Sequence, residues 1–117
     1  MTAPSAPSRQ FSLEEASRLL PSVKLVTAEA VREAEHLSRE LRLHGEAHPR
    51  HEALSEQLDS VVSRWASRLK ELQVEAKGLW LVDFDNGDGY YCWQYPEEAI
   101  THYHAYDEGF SGRMKIV

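Results

Sequence analysis

Residues able to face a core return at alternating steps of three and four from Leu13 to Leu41, through Ala16, Leu20, Val23, Thr27, Ala30, Ala34 and Leu37. That spacing predicts one continuous helical stripe, with Arg32, Glu33 and Arg39 off the seam. Ser12 and Glu15 stand in capping-box spacing, each able to satisfy a backbone N–H at the helix start. Pro21 removes a donor and clashes one turn back, which predicts a kink or short break near Leu20. His44-Gly45-Glu46-Ala47-His48-Pro49 reads as a turn, with Gly45 as a C-terminal cap and Pro49 opening the next helix. A second run through Leu54, Leu58, Val61, Trp65, Leu69, Leu72 and Ala76 predicts a helix from Arg50 to about Ala76. So short a turn makes the two helices an antiparallel hairpin.

From Gly78 the pattern changes period. Nine of the eleven aromatic residues lie from Trp80 onward. Leu79–Asp85, Tyr90–Tyr95 and Ile100–Tyr106 read as strands, divided by Asn86-Gly87-Asp88-Gly89 and by Pro96-Glu97-Glu98-Ala99. Both gaps suit hairpins, and Met114–Val117 adds a short fourth strand after the glycine-bearing loop Asp107–Arg113. Symmetric closure of the two gaps pairs Asp83 with Cys92 and Cys92 with Tyr103. Alternation then sets Trp80, Val82, Phe84, Tyr91, Trp93, Tyr95, Ile100, His102 and His104 on the helix-facing side, away from Cys92. A one-residue slip at Pro96 would reverse the third strand's faces.

The expected fold is therefore α+β: a long helical hairpin packed on a three- to four-stranded antiparallel sheet. Residues 1–10 read as a frayed tail and 11–117 as a single domain, with the hairpin over 11–77 and the meander over 78–117. A chain of 117 residues suits one domain, and its 42% hydrophobic content is that of a globular protein. Thirteen basic against nineteen acidic residues give a net charge of −6, which argues against binding to nucleic acid or to an anionic membrane. No apolar run reaches the length of a membrane span, and the first residues lack a signal-peptide pattern, so a cytoplasmic location is expected. Cys92 is the single cysteine and excludes an internal disulfide.

Four constellations invite chemistry. Asp83-Phe84-Asp85-Asn86-Gly87-Asp88-Gly89 begins like a calcium loop, but Gly87 and Asp88 stand where an EF-hand needs an oxygen ligand and a glycine, so a polar hairpin turn is expected. Asp83, Cys92, His102 and His104 form a mixed ligand set of the kind zinc or iron accepts, without the paired spacing of a structural zinc site. His44, His48 and His51 cluster at the helical turn and read as solvated. Gly109-Phe110-Ser111-Gly112-Arg113 could form an anion-binding concavity with His104 upstream, its glycines permitting positive φ and Arg113 supplying a fork of donors. The alternative is that this loop only turns the chain, with Arg113 paired to Asp107 or Glu108.

Leu81-Val82-Asp83-Phe84, Cys92-Trp93, Glu97 before Ile100, His104 and Gly109–Arg113, with Phe11–Ala16 and Leu19-Leu20-Pro21, carry a resemblance. The chain resembles a family of small prokaryotic proteins catalogued as domain of unknown function 2203. Tyr103-His104 stands for the family's Trp-His pair, and Trp80 and Pro96 stand where the family has glycines. The resemblance implies a fold and a bacterial cytoplasmic origin, and no activity.

The leading expectation is a non-enzymatic, self-associating interaction module, a homodimer joined through its helices. A helix of about 27 residues runs about 40 Å, against about 20 Å for the strands, so the sheet leaves the distal seam uncovered. The rival is a small-ligand binder using His104, Gly109, Gly112 and Arg113, or a metal binder using His102, His104, Asp83 and Cys92. No cofactor is otherwise expected, and no constellation supports catalysis.

Overall fold

A computed structural model describes residues 9–117; residues 1–8, most of the expected tail, lie outside the described residues. Helix α1 spans Leu13–His44 and α2 spans His51–Glu71. The strands are β1 Glu75–Gly78, β2 Leu81–Asp85, β3 Gly89–Gln94, β4 His102–Ala105 and β5 Met114–Lys115, with a 3-10 turn over Phe110–Gly112. They form one antiparallel meander in the order β1-β2-β3-β4-β5.

Both halves of the expected capping box are made: Ser12 Oγ accepts from Glu15 N at 3.1 Å, and Glu15 Oε1 accepts from Ser12 N at 3.0 Å. Of the kink or short break expected near Leu20, the break does not occur: α1 runs through Pro21 as one element. Proline forfeits one amide bond, to the carbonyl of Ser17, and both residues lie on the exposed face where water can replace it. The stripe closes a core between hairpin and sheet. Leu20, Val23, Trp65 and Leu69 meet Val82, Phe84 and Trp93, all nearly or wholly shielded from solvent. Within the hairpin the buried Trp65 indole donates to Thr27 Oγ1 at 2.9 Å. Phe11, just before the cap, lies edge-on to Phe84 with its amide bonded to the Asp85 carbonyl, which ties the start of α1 to the sheet.

Two sequence expectations are corrected in the sheet. Helix α2 stops at Glu71, five residues short of Ala76, because Gln73 enters the left-handed region at φ 65 and Val74 closes back on Leu69. The chain freed by that stop forms β1, which raises the sheet to five strands. Trp80 also sits at φ 65, a conformation that favours glycine, and its ring meets Trp65 edge-on at 5.0 Å.

The second correction is register. Asp83 pairs with Cys92 as expected, but Cys92 pairs with His102 and Tyr91 with Tyr103, one residue away from symmetric closure. The connection after Gln94 contains a cis Tyr95–Pro96 peptide and a tight turn in which Glu97 N donates to the Gln94 carbonyl. Glu97 Oε1 takes the Gln94 amide at 2.7 Å, and Ile100 turns into the core, so β4 starts only at His102. The slip moves His102 and His104 across the sheet.

Candidate metal centre

On β2 and β3 the residues that alternate with Val82, Phe84 and Trp93 point away from the helices, which places Asp83 and Cys92 on the outer face of the sheet. The observed register brings His102 and His104 to that same face, overturning the separation of Cys92 from the histidines. Asp83, Cys92 and His104 are 1%, 2% and 3% exposed, as buried as the apolar core although each carries a polar or ionisable group. One donor atom from each lies within 4.8 Å of the other two. His104 Nε2 stands 2.9 Å from Asp83 Oδ2, and its Nδ1 stands 2.9 Å from the Ala105 carbonyl oxygen. A carbonyl only accepts, so Nδ1 carries a proton and Nε2 is the nitrogen presented to the cluster.

Burial is the main cause that raises the Asp83 carboxyl above its ordinary value of 3.8, with the His104 hydrogen bond pulling the other way. Its second oxygen, Oδ1, is buried and meets no nitrogen or oxygen donor among the described residues; the Cys92 thiol beside the carboxyl also helps to hold its value down. Burial, followed by the neighbouring Asp83 charge, pushes the Cys92 thiol up to about 12. A thiol so disfavoured as thiolate is a poor nucleophile, which argues against cysteine catalysis. A divalent cation would relieve both groups at once, because it pairs with the carboxylate and replaces the thiol proton.

The donor set fits such an ion. Imidazole nitrogen, thiolate and carboxylate together suit zinc and its late first-row neighbours, not calcium or magnesium. Donors at about 2.0–2.3 Å from a tetrahedral ion lie roughly 3.3–3.8 Å from one another, so modest side-chain shifts would seat one. The Nδ1 contact to a backbone carbonyl is the usual outer support of a metal-ligating histidine.

His102 shares this face but directs Nδ1 to Thr101 Oγ1 at 2.9 Å and stays outside the cluster. The loop after β4 covers the site. Glu108, Gly109 and Phe110, with Lys77, Tyr90 and Tyr106, wall a cavity of about 160 Å³ whose floor is Asp83, Cys92 and His104. Gly109 holds φ −105, and the left-handed glycines are Gly45 and Gly87. The amides of Gly112 and Arg113 bond within the 3-10 turn, to Gly109 and Phe110 carbonyls. Arg113 pairs with neither Asp107 nor Glu108. Its Nη2 donates to both oxygens of Glu97, at 3.0 and 2.9 Å, and its guanidinium packs 4.8 Å over the Phe110 ring. At the other hairpin the expected polar turn forms, with Asp85 Oδ1 accepting from Gly87 N and Asn86 Oδ1 accepting from the Asp88 and Gly89 amides. At the helical turn the His44 and His48 rings lie 4.2 Å apart, with His44 bonded to Glu40.

Sequence reasoning did not find Lys77, Tyr90 or Tyr106 as walls of the site, nor Glu97 as the partner of Arg113. Lys77 was hidden because β1 reads as helix. The partnership of Glu97 depends on how the Pro96 connection folds, and local spacing carries no signal for it.

The fold and site define an α+β protein in which a helical hairpin covers one face of an antiparallel meander and the other face buries an Asp–Cys–His cluster. The family model described as Uncharacterized conserved protein (DUF2203) matches residues 9–116, and the chain belongs to that family. No curated protein and no solved structure matches the chain. Among the described residues no helix is long and apolar enough to cross a membrane.

Proposed function

We propose that the protein binds one transition-metal ion, of the zinc type, through Asp83, Cys92 and His104. The observation that carries this reading is the orphaned Asp83 Oδ1, a buried carboxylate oxygen that meets no nitrogen or oxygen donor among the described residues, beside a thiol and an imidazole nitrogen. An unpaired buried polar atom costs free energy, and a cation shared by the three donors removes that cost. The test is elemental analysis of protein purified without a histidine tag and reloaded with Zn2+ after chelation. One zinc per chain is expected, lost in Cys92→Ala and in His104→Ala. A parent protein that retains no zinc above the variants overturns the reading.

Self-association through the helices is a second reading, favoured by Leu25 and Leu43, which stand 62% and 74% exposed on α1. Against it, Leu54 near the distal turn is already buried within one chain. Light scattering distinguishes the two: a mass near twice 13.4 kDa supports the homodimer, and a concentration-independent 13.4 kDa contradicts it.

A further inference from the structure

We infer that the metal held by Asp83, Cys92 and His104 keeps one coordination position open, and that this position takes a small carboxylate whose charge is met by Lys77; the inference rests on the metal reading above. Three protein donors leave a tetrahedral ion one ligand short, the arrangement that separates exchangeable sites from closed structural ones. All three donors floor the same cavity of about 160 Å³, so the remaining position opens into it.

The other polar groups around the cavity stand outside the three-donor cluster. Tyr106 donates its hydroxyl to Asp85 Oδ1 at 2.6 Å. The Glu108 carboxylate is exposed, lies against Gly112 and is not among the clustered donors. His102 is turned to Thr101. No fourth protein donor joins the cluster among the described residues, so the position opens to solution.

Charge narrows the ligand's class. One carboxylate and one thiolate cancel the charge of a divalent ion, which leaves Lys77 as the cation among the cavity walls and Glu108, exposed to solvent, as the remaining anion. Its ammonium rests 5.0 Å over the Tyr90 ring and pairs with Glu75 at 3.2 Å. Both members of that pair are more than a third exposed, and exposed pairs contribute little, so Lys77 is free to turn toward an incoming carboxylate. Carboxylate oxygen is itself a ligand that zinc and cobalt accept. At about 30 Å³ per water, a cavity of about 160 Å³ holds about five waters, which is room for acetate.

The experiment loads the apo protein with Co2+ and titrates it with acetate. The thiolate-to-cobalt charge-transfer band reports the metal at Cys92, and the ligand-field bands report the fourth ligand. Acetate is expected to shift the ligand-field bands saturably, and Lys77→Met to weaken acetate roughly threefold or more while the charge-transfer band stays. A charge-transfer band with ligand-field bands indifferent to acetate overturns this inference and leaves the metal reading standing. Absence of the charge-transfer band overturns both. Equal acetate affinity in Lys77→Met overturns the part given to Lys77.

Discussion

Replacing Glu97 with alanine strands the Arg113 guanidinium, whose side chain is only 10% exposed and whose Nη2 has both its contacts on that carboxylate. The same change frees the Gln94 amide, which donates to Glu97 Oε1 at 2.7 Å. The Trp93 indole is unaffected, since it donates to the Glu97 backbone carbonyl. Hydrogen bonds to charged groups contribute about 1.5–3 kcal/mol, and stranding one member of a fully buried pair costs about 3–5 kcal/mol. Glu97 is 27% exposed, so water reaches the pair from its side, and the lower part of these ranges applies, about 2–3 kcal/mol. For a domain of this size that lowers Tm by about 8–12 °C. Thermal unfolding followed by circular dichroism measures it, with urea unfolding as a check on ΔG. Arg113→Met added to Glu97→Ala should recover part of the loss, because no stranded charge remains. A Tm for Glu97→Ala within about 2 °C of the parent would refute the view that this ion pair fastens the loop over the site.

Thr27→Val keeps the shape and β-branching of the helix residue but orphans the Trp65 indole N–H, so a loss of about 1–3 kcal/mol is expected in urea, and a change under about 0.5 kcal/mol would contradict it. Gly89→Ala places a Cβ 2.4 Å from the His104 carbonyl oxygen, with backbone of Ala105 behind it. Separation of β3 from β4 should cost at least about 1–3 kcal/mol, and unaltered stability would show that the strands do not approach so closely. In metal-free protein the raised Asp83 carboxyl means that the folded state keeps a proton the unfolded chain releases, so this contribution is fullest below the ordinary value of 3.8 and is lost as pH rises through the raised one. Asp83→Asn should remove that decline from the urea midpoint measured between about pH 3 and about pH 8, and superposed profiles would refute it. Saturating Zn2+ should reverse the sign of the parent's slope, since its ligands must lose protons to bind.

The parts of this molecule that local chemistry specifies were readable from the chain. Ser12 and Glu15 announce the helix start, and Asn86-Gly87 announces a polar turn, in which the Asp85 and Asn86 side chains bond the following amides. The β2–β3 register follows from that turn, which is why Asp83 faces Cys92 as expected. Where the deciding contact is distant in sequence, the reading fails. Leu72 and Ala76 continue the helical stripe without a glycine or proline to stop it, and only the backbone at Gln73 diverts the chain into β1. The third strand depends on how Glu97 and Ile100 are used after Pro96, one as a cap for Gln94 and one as a core residue. That single residue of register decides whether His104 meets the helices or the Asp83 carboxylate. Arg113 was legible as a donor fork, but its partner lies sixteen residues back on a connection whose path the sequence does not reveal.

The most direct test of the central claim is a crystal soaked with Zn2+ and measured on either side of the zinc absorption edge. The account predicts one anomalous peak per chain within bonding distance of Cys92 Sγ, His104 Nε2 and an Asp83 carboxylate oxygen, about 2.0–2.3 Å from each. A peak confined to His44 and His48 at the helical turn, or none at the sheet, would contradict it.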